Sequence, residues 1–242
     1  MRAEVRHQLK QDRFSKVTFE AAGRTVDWSI EHKNKLIVFS AAVAVLLAVL
    51  VGGWFYLSQQ DQKASLELGQ GLRTLNTPLR QPGTPAEPDQ PTFTSSAERA
   101  TQARKQFQAI VQNYPHTRSA EFARYFLGLT EADLGDNTAA ARELQSVAMS
   151  HNADLSGLAK FGLAAVYRNQ HNDKGAMDLY NTLISKPPAT VSKAAAQVEL
   201  AATYEADGQP REARRIYQQM QKENPANSAP AQLATEKLQA LK

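Results

Sequence analysis

Five histidines, His7, His32, His116, His151 and His171, are the side chains best suited to hold a metal ion or move a proton near neutral pH. No two of them stand four apart with an acid beside them, the spacing that puts two ligands on one helix face for zinc. The chain has no cysteine, which removes disulfides, thiol nucleophiles and lipid attachment through an N-terminal cysteine. No phosphate-cradling Gly-rich loop and no nucleophile elbow occurs, and the Asp and Glu residues are scattered like solvated helix faces. The expectation is a protein without catalytic residues, metal or cofactor. What remains is binding. Positions spaced 3, 4 and 3 form mostly apolar stripes: Phe122, Tyr125, Leu129 and Ala132; Leu158, Phe161, Ala165 and Arg168; Ala195, Val198, Ala202 and Glu205. Lined up on the inner face of a superhelix of stacked helices, they suit a hydrophobic peptide or an amphipathic helix of a partner. The same pattern equally serves packing against a neighbouring helix, and spacing alone leaves both open.

Helices must position these stripes, and the chain repeats itself in the way helical pairs do. Leu127-Gly128, Leu163-Ala164 and Leu200-Ala201 each stand thirteen residues ahead of a small residue, Ala140, Ala176 or Ala213. Four residues further come Leu144, Tyr180 and Tyr217, and twelve after the small residue come Asn152, Pro188 and Pro225. Ala103, Phe107, Ile110 and Pro115 repeat the second half of that pattern upstream. Several offsets recurring together specify the tetratricopeptide repeat, or TPR. Small residues let paired helices approach, tyrosines fill the space between them, and proline ends the second helix because it lacks a donor and clashes with the preceding turn. Gly135 and Gly208 fall where a left-handed turn is needed. The Lys and Asn pairs of the TPR carboxylate clamp are absent, since Tyr125, Leu129, Phe161 and Ala165 occupy those positions.

The pattern is irregular in places. Glu131 takes a tyrosine-type position, Asn152 replaces a proline, and the period is 36 to 37 residues instead of 34, which places extra residues between repeats. Leu68-Gly69 with Leu72 resembles the start of a further repeat, separated from Ala103 by an insertion. That insert, residues 77–95, carries Pro78, Pro82, Pro85, Pro88 and Pro91 and is expected to be an extended loop. Residues 231–241 place Leu233, Ala234, Leu238 and Leu241 on one face and read as a capping helix.

Residues 36–57, LIVFSAAVAVLLAVLVGGWFYL, contain no charge, and thirteen of the 22 are Leu, Ile, Val or Phe. As a helix this run is about 33 Å long, against a hydrocarbon core of roughly 30 Å. It exceeds a signal-peptide core, follows a long leader and is not followed by an A-x-A-like site, so an uncleaved transmembrane helix is expected. Residues 1–35 form a basic leader with eight Lys and Arg against five acids. By the positive-inside rule it stays in the cytoplasm and residues 58–242, the TPR domain, lie outside. Trp54, Phe55 and Tyr56 then mark the outer interface. Beyond Leu57 the charges nearly balance, 20 basic against 19 acidic, which excludes a nucleic-acid footprint. The expected fold class is all-α, one N-terminal transmembrane helix followed by a tetratricopeptide-repeat superhelix.

A basic leader, one span and three to four exported repeats together resemble the ancillary subunit of the bacterial Sec translocon, a membrane-anchored periplasmic TPR family. The resemblance covers most of the chain, although the leader is longer than that family's. It implies the bacterial inner membrane, a single pass with a periplasmic or extracytoplasmic C-terminal domain, and a role as accessory of protein translocation or of periplasmic chaperone handover. Implied partners are translocon subunits, periplasmic chaperones or exported clients. The alternative is an envelope scaffold that forms homo-oligomers through its repeats and organises cell-wall or outer-membrane machinery.

Overall fold

The structure, a computed structural model, describes residues 32–80 and 92–241. The basic residues upstream of His32 and the prolines at 82, 85, 88 and 91 lie outside the described residues. Nine α-helices are described: α1 Lys33–Asn76, α2 Ser96–Asn113, α3 Arg118–Asp133, α4 Asn137–Ala148, α5 Ala153–Asn169, α6 Asp173–Ser185, α7 Lys193–Ala206, α8 Pro210–Glu223 and α9 Ala229–Ala240. Among the described residues there is no strand, only an isolated bridge between Leu79 and Phe93. The chain divides into two compact units, Met1–Tyr56 and Leu57–Lys242.

In the first unit, α1 carries the apolar run. Its most apolar 18-residue stretch has a mean hydropathy of 2.7 and none of it is buried. A helix of a soluble core is mostly covered by its neighbours; here Phe39, Leu47 and Trp54 are all exposed. By length and composition it can cross a membrane.

In the second unit the helices form successive hairpins. α3 pairs with α4, α5 with α6 and α7 with α8, while the end of α1 serves as first helix to α2. Each start is marked by a cap that satisfies amides the helix cannot bond itself. Ser95, Thr117, Asp136, Asn152, Asn172 and Ser192 accept from amides of α2 to α7 in turn. Asn152, out of pattern as a missing proline, thus starts α5 by bonding Asp154 N and Leu155 N at 3.1 and 3.2 Å. α8 and α9 lack such a bond and begin instead with Pro210 and Pro230 in the first turn.

The turns within hairpins share one geometry. Asp136 N, Asn172 N and Gln209 N donate to the carbonyls of Glu131, Tyr167 and Tyr204, five residues back, at 2.9, 2.8 and 2.8 Å. This closure needs one left-handed residue before the donor. Gly135 and Gly208 supply it with φ of 84° and 73°, and His171 takes the same place with φ of 58°. A side chain in that region costs about 1 kcal/mol. His171→Gly is therefore expected to stabilise the repeat domain by up to about 1 kcal/mol, a rise of about 2–4 °C in melting temperature by circular dichroism. A fall instead would mean that the imidazole makes a stabilising contact.

Buried side chains form a chain of small cores. Ala64, Ala103, Phe107, Ile110 and Leu127 make the first, and Ala201, Ala213, Tyr217, Met220 and Ala234 the last. α9 closes that end with Ala234, Leu238 and Leu241; Leu233, expected beside them, is not part of this core. Close approach is visible at Gly128, where a Cβ would come within 2.7 Å of Leu144. The equivalent glycine on α1 is Gly71, whose Cβ would lie 2.5 Å from Phe107, and not Gly69, which has only the Arg73 guanidinium, at 4.0 Å. The repeat on α1 is thus shifted two residues from the Leu68-Gly69 register. Phe107 rests on one helix face, and Gly71 is on that face.

Polar contacts tie successive helices. Ser119 N donates to Asp61 at 2.9 Å and the Tyr114 hydroxyl to Glu67 at 2.7 Å, which fastens the end of α1 to the repeats. Glu143, only 8% exposed, is paired with Arg124 at 2.9 Å and Arg142 at 3.0 Å. Glu131, out of place as a tyrosine substitute, faces Arg104 at 3.5 Å. Glu223 accepts from Lys193, Gln197 and Gln219, and these bonds hold its carboxyl down to about 2.

Candidate protein-binding surface

The stripe residues lie on the first helices of the hairpins: Phe122, Tyr125 and Leu129 on α3, Leu158, Phe161, Ala165 and Arg168 on α5, Val198, Ala202 and Glu205 on α7. Side chains three and four apart share a helix face, so each helix presents its stripe as one band. Nine of the ten are half-buried, and only Ala165 is exposed.

The neighbours that cover them come from the second helix of the same hairpin and from the next hairpin. Phe122 and Tyr125 pack on Val147, Leu155 and Ala159, and the Tyr125 ring meets Phe126 edge-on at 5.1 Å. Leu129 belongs with Leu144, Leu163 and Val166, and its Cδ2 lies 3.2 Å from where a Cβ on Gly162 of α5 would be. Phe161 stands edge-on to Tyr180 at 5.8 Å, with Leu158 against the same core. Val198 packs toward Ala201, Tyr217 and Met220. Much of the apolar area thus forms seams within hairpins and between consecutive ones. What faces outward is the edge of each side chain, with Ala165 in the middle of the α5 band.

The polar members are also engaged. Arg168 donates to Glu199 of α7 at 2.6 Å, and Glu205 accepts from the Tyr217 hydroxyl at 2.9 Å. Glu199 and Tyr217 are the partners that spacing does not reveal. They come from other helices, and nothing in a single-helix period links position 168 to 199. The Tyr180 hydroxyl, fully buried beneath this band, has no hydrogen-bond partner among the described residues. Burial, reinforced by the Glu199 charge and opposed by Arg168, pushes its phenol up to about 12. Burial and the bond to Glu205 raise Tyr217 as well, and burial alone raises Tyr125. These phenols stay neutral near pH 7; Tyr217 serves as a hydrogen-bond donor, and Tyr125 and Tyr180 fill space between helices. Among the described residues no group of three or more His, Asp or Glu converges as a metal site would.

The hairpin series, its left-handed turns and its small-residue seams agree with the comparison of the whole chain. Residues 27–242 match the family described as a tetratricopeptide repeat-like domain. The chain belongs to that family. No curated protein and no solved structure gives a match. Membership makes the tetratricopeptide repeat-like domain a protein-interaction module, since stacked helical pairs offer extended surfaces for other polypeptides. The matched region takes in all of α1, apolar run included. It carries nothing specific to the Sec translocon.

Proposed function

We propose that the chain is a membrane-anchored adaptor: the apolar run of α1 spans the cytoplasmic membrane of a bacterium, and the repeat-like domain on its outer side holds a segment of an envelope protein. The domain division follows: a cytoplasmic leader in residues 1–35, the span in 36–57 and the repeats in 58–242, with the insert 77–95 and a cap in 231–241. A place beside the protein-translocation machinery, or in handover to periplasmic chaperones, is the reading that the sequence resemblance favours. The carrying observation is the coexistence of an uncovered 18-residue apolar stretch with an array of helical hairpins in one chain. A partner segment lies along the bands of α3, α5 and α7, touching the outward edges of Tyr125 and Phe161 and the exposed Ala165.

Because Tyr125 and Phe161 also pack against neighbouring helices, their replacement by Ala mixes loss of binding with loss of fold. Ala165→Glu is cleaner. It puts a charge on the exposed centre of the band and removes no packing, so melting should stay within about 2 °C of wild type. A photoreactive residue at position 165 in the full chain, in native membranes, identifies the partner. Its affinity, measured on purified full chain in detergent, is expected to fall at least about tenfold in Ala165→Glu, which is 1.4 kcal/mol. The Tyr125→Ala/Phe161→Ala pair should cost about 2–4 kcal/mol of binding. An identified partner that binds Ala165→Glu as tightly as wild type excludes the inner bands as the docking site.

A further inference from the structure

A second surface lies at the opposite end of the α5–α6 hairpin from the His171 turn. There the start of α5, the end of α6 and the linker that leaves α6 enclose a cleft of about 390 Å³, lined among others by Gly157, Lys160, Thr182, Leu183, Lys186 and Pro188. The linker is built into the wall. Ala189 N donates to the Asp154 carboxylate at 3.0 Å, the Thr190 hydroxyl to the Asp154 carbonyl at 2.7 Å, and Val191 is buried. Pro188 sits so close to α5 that a Cβ on Gly157 would lie 2.3 Å from its ring. The extra residues of this repeat are therefore spent on shaping a recess, not on a slack connection.

The lining has a definite chemical character. Leu183, Pro187, Pro188 and Ala153 give it apolar surface, and no Asp or Glu lines it. Lys160 and Lys186 do, and neither ammonium group makes an ion pair or a hydrogen bond among the described residues. The nearest acid in sequence, Asp154, has its carboxylate engaged by Ala189. Its volume falls at the low end of the roughly 300–1,000 Å³ typical of ligand pockets, room for one or two side chains. Two uncompensated ammonium groups beside an apolar floor complement carboxylates flanking an apolar side chain.

We infer that this cleft is a second docking site, one that takes a short acidic stretch of a partner polypeptide. An apolar side chain of the partner rests against Leu183 and Pro188, and carboxylates on either side of it meet Lys160 and Lys186. The cleft shares no residue with the inner bands, so the site stands or falls separately from them.

The test uses purified full chain in detergent and a fluorescent peptide, DELDE, amidated at its C-terminus, with NQLNQ as the uncharged control. Anisotropy should show saturable binding of DELDE at or below about 1 mM, weakening with added salt, and no comparable binding of NQLNQ. Lys160→Gln/Lys186→Gln should weaken it at least about tenfold, and so should Thr182→Trp, which fills the cleft from an exposed position. Lys105→Gln, at an exposed site elsewhere, and Ala165→Glu, on the inner band, should leave it unchanged. Equal binding of DELDE and NQLNQ, no saturable binding in that range, or wild-type affinity in folded Lys160→Gln/Lys186→Gln overturns the inference. Loss of DELDE binding in Ala165→Glu would overturn it too, by moving the peptide to the inner face.

Discussion

Deleting residues 36–57 is expected to move the chain from the membrane pellet to the soluble fraction with its repeats still folded, whereas deleting 36–76 should leave a soluble but damaged domain. The thirteen Leu, Ile, Val and Phe of the run contribute roughly 4 to 8 kcal/mol to insertion at about 0.3 to 0.6 each. No other helix among the described residues has the length and hydropathy to replace it. Within the second unit the end of α1 is tied to the repeats, with Asp61 bonded to Ser119, Glu67 bonded to Tyr114, Ala64 fully buried and Gly71 against Phe107. The longer deletion strips these and uncovers Phe107 and Ile110, both fully buried. At about 1.5–3 kcal/mol for each large side chain returned to water, it should lower the melting temperature by roughly 10 °C or more. Carbonate extraction and thermal circular dichroism check both arms. A 36–57 deletion that stays in the pellet after carbonate removes the membrane reading. Equal melting of the two deletions removes α1 from the first repeat.

Raising the pH from 8 to 12 should destabilise the repeat domain through its buried tyrosines. The Tyr180 phenol has an ordinary value near 10 and is pushed up to about 12 in the fold, chiefly by burial. Its folded value is the higher one, so its contribution is fully present below pH 10 and is lost as pH rises through 12. Between those values the unfolded chain has released the proton that the folded chain keeps, and stability falls with pH. That rise corresponds to about 3 kcal/mol at most, and Tyr217, raised by burial and by Glu205, adds to it in the same direction. Lysines also discharge in this range, so the informative quantity is the difference between wild type and Tyr180→Phe/Tyr217→Phe. That variant should lose stability more slowly between pH 9 and 11.5 in urea melts. At pH 7 the two changes differ. Tyr180→Phe should be neutral to stabilising because its buried hydroxyl has no partner among the described residues, and Tyr217→Phe should cost about 1 kcal/mol for the bond to Glu205. Parallel pH dependences for wild type and the double variant would remove the tyrosines as the cause.

Much of this architecture is legible in one dimension because helical pairs impose fixed distances along the chain. The offsets linking Gly128, Ala140 and Leu144 recur at Ala164, Ala176 and Tyr180, and the structure buries every one of these six residues. Gly135 and Gly208 announce left-handed turns, since other residues are strained there, and both have positive φ. The uncharged run in α1 announces a helix with no covering face. Local chemistry suffices for such features, because each is decided within one helix or one turn.

Other features depended on which helix lies beside which. Gly69 and Gly71 are equally good as sequence signals, and only the position of Phe107 selects Gly71. His171 gives no glycine-like signal, yet the hairpin closure that binds Asn172 to Tyr167 forces it left-handed. The bands on α3, α5 and α7 have the period of an exposed apolar face, and nine of the ten residues are half-covered by neighbouring helices. Arg168 finds Glu199, and Lys160 comes to share a cleft with Lys186, across helices whose separation in sequence carries no period. Periodicity states which face of a helix is apolar; what covers that face, and which charges are left uncovered, is set by the stacking of one hairpin on the next.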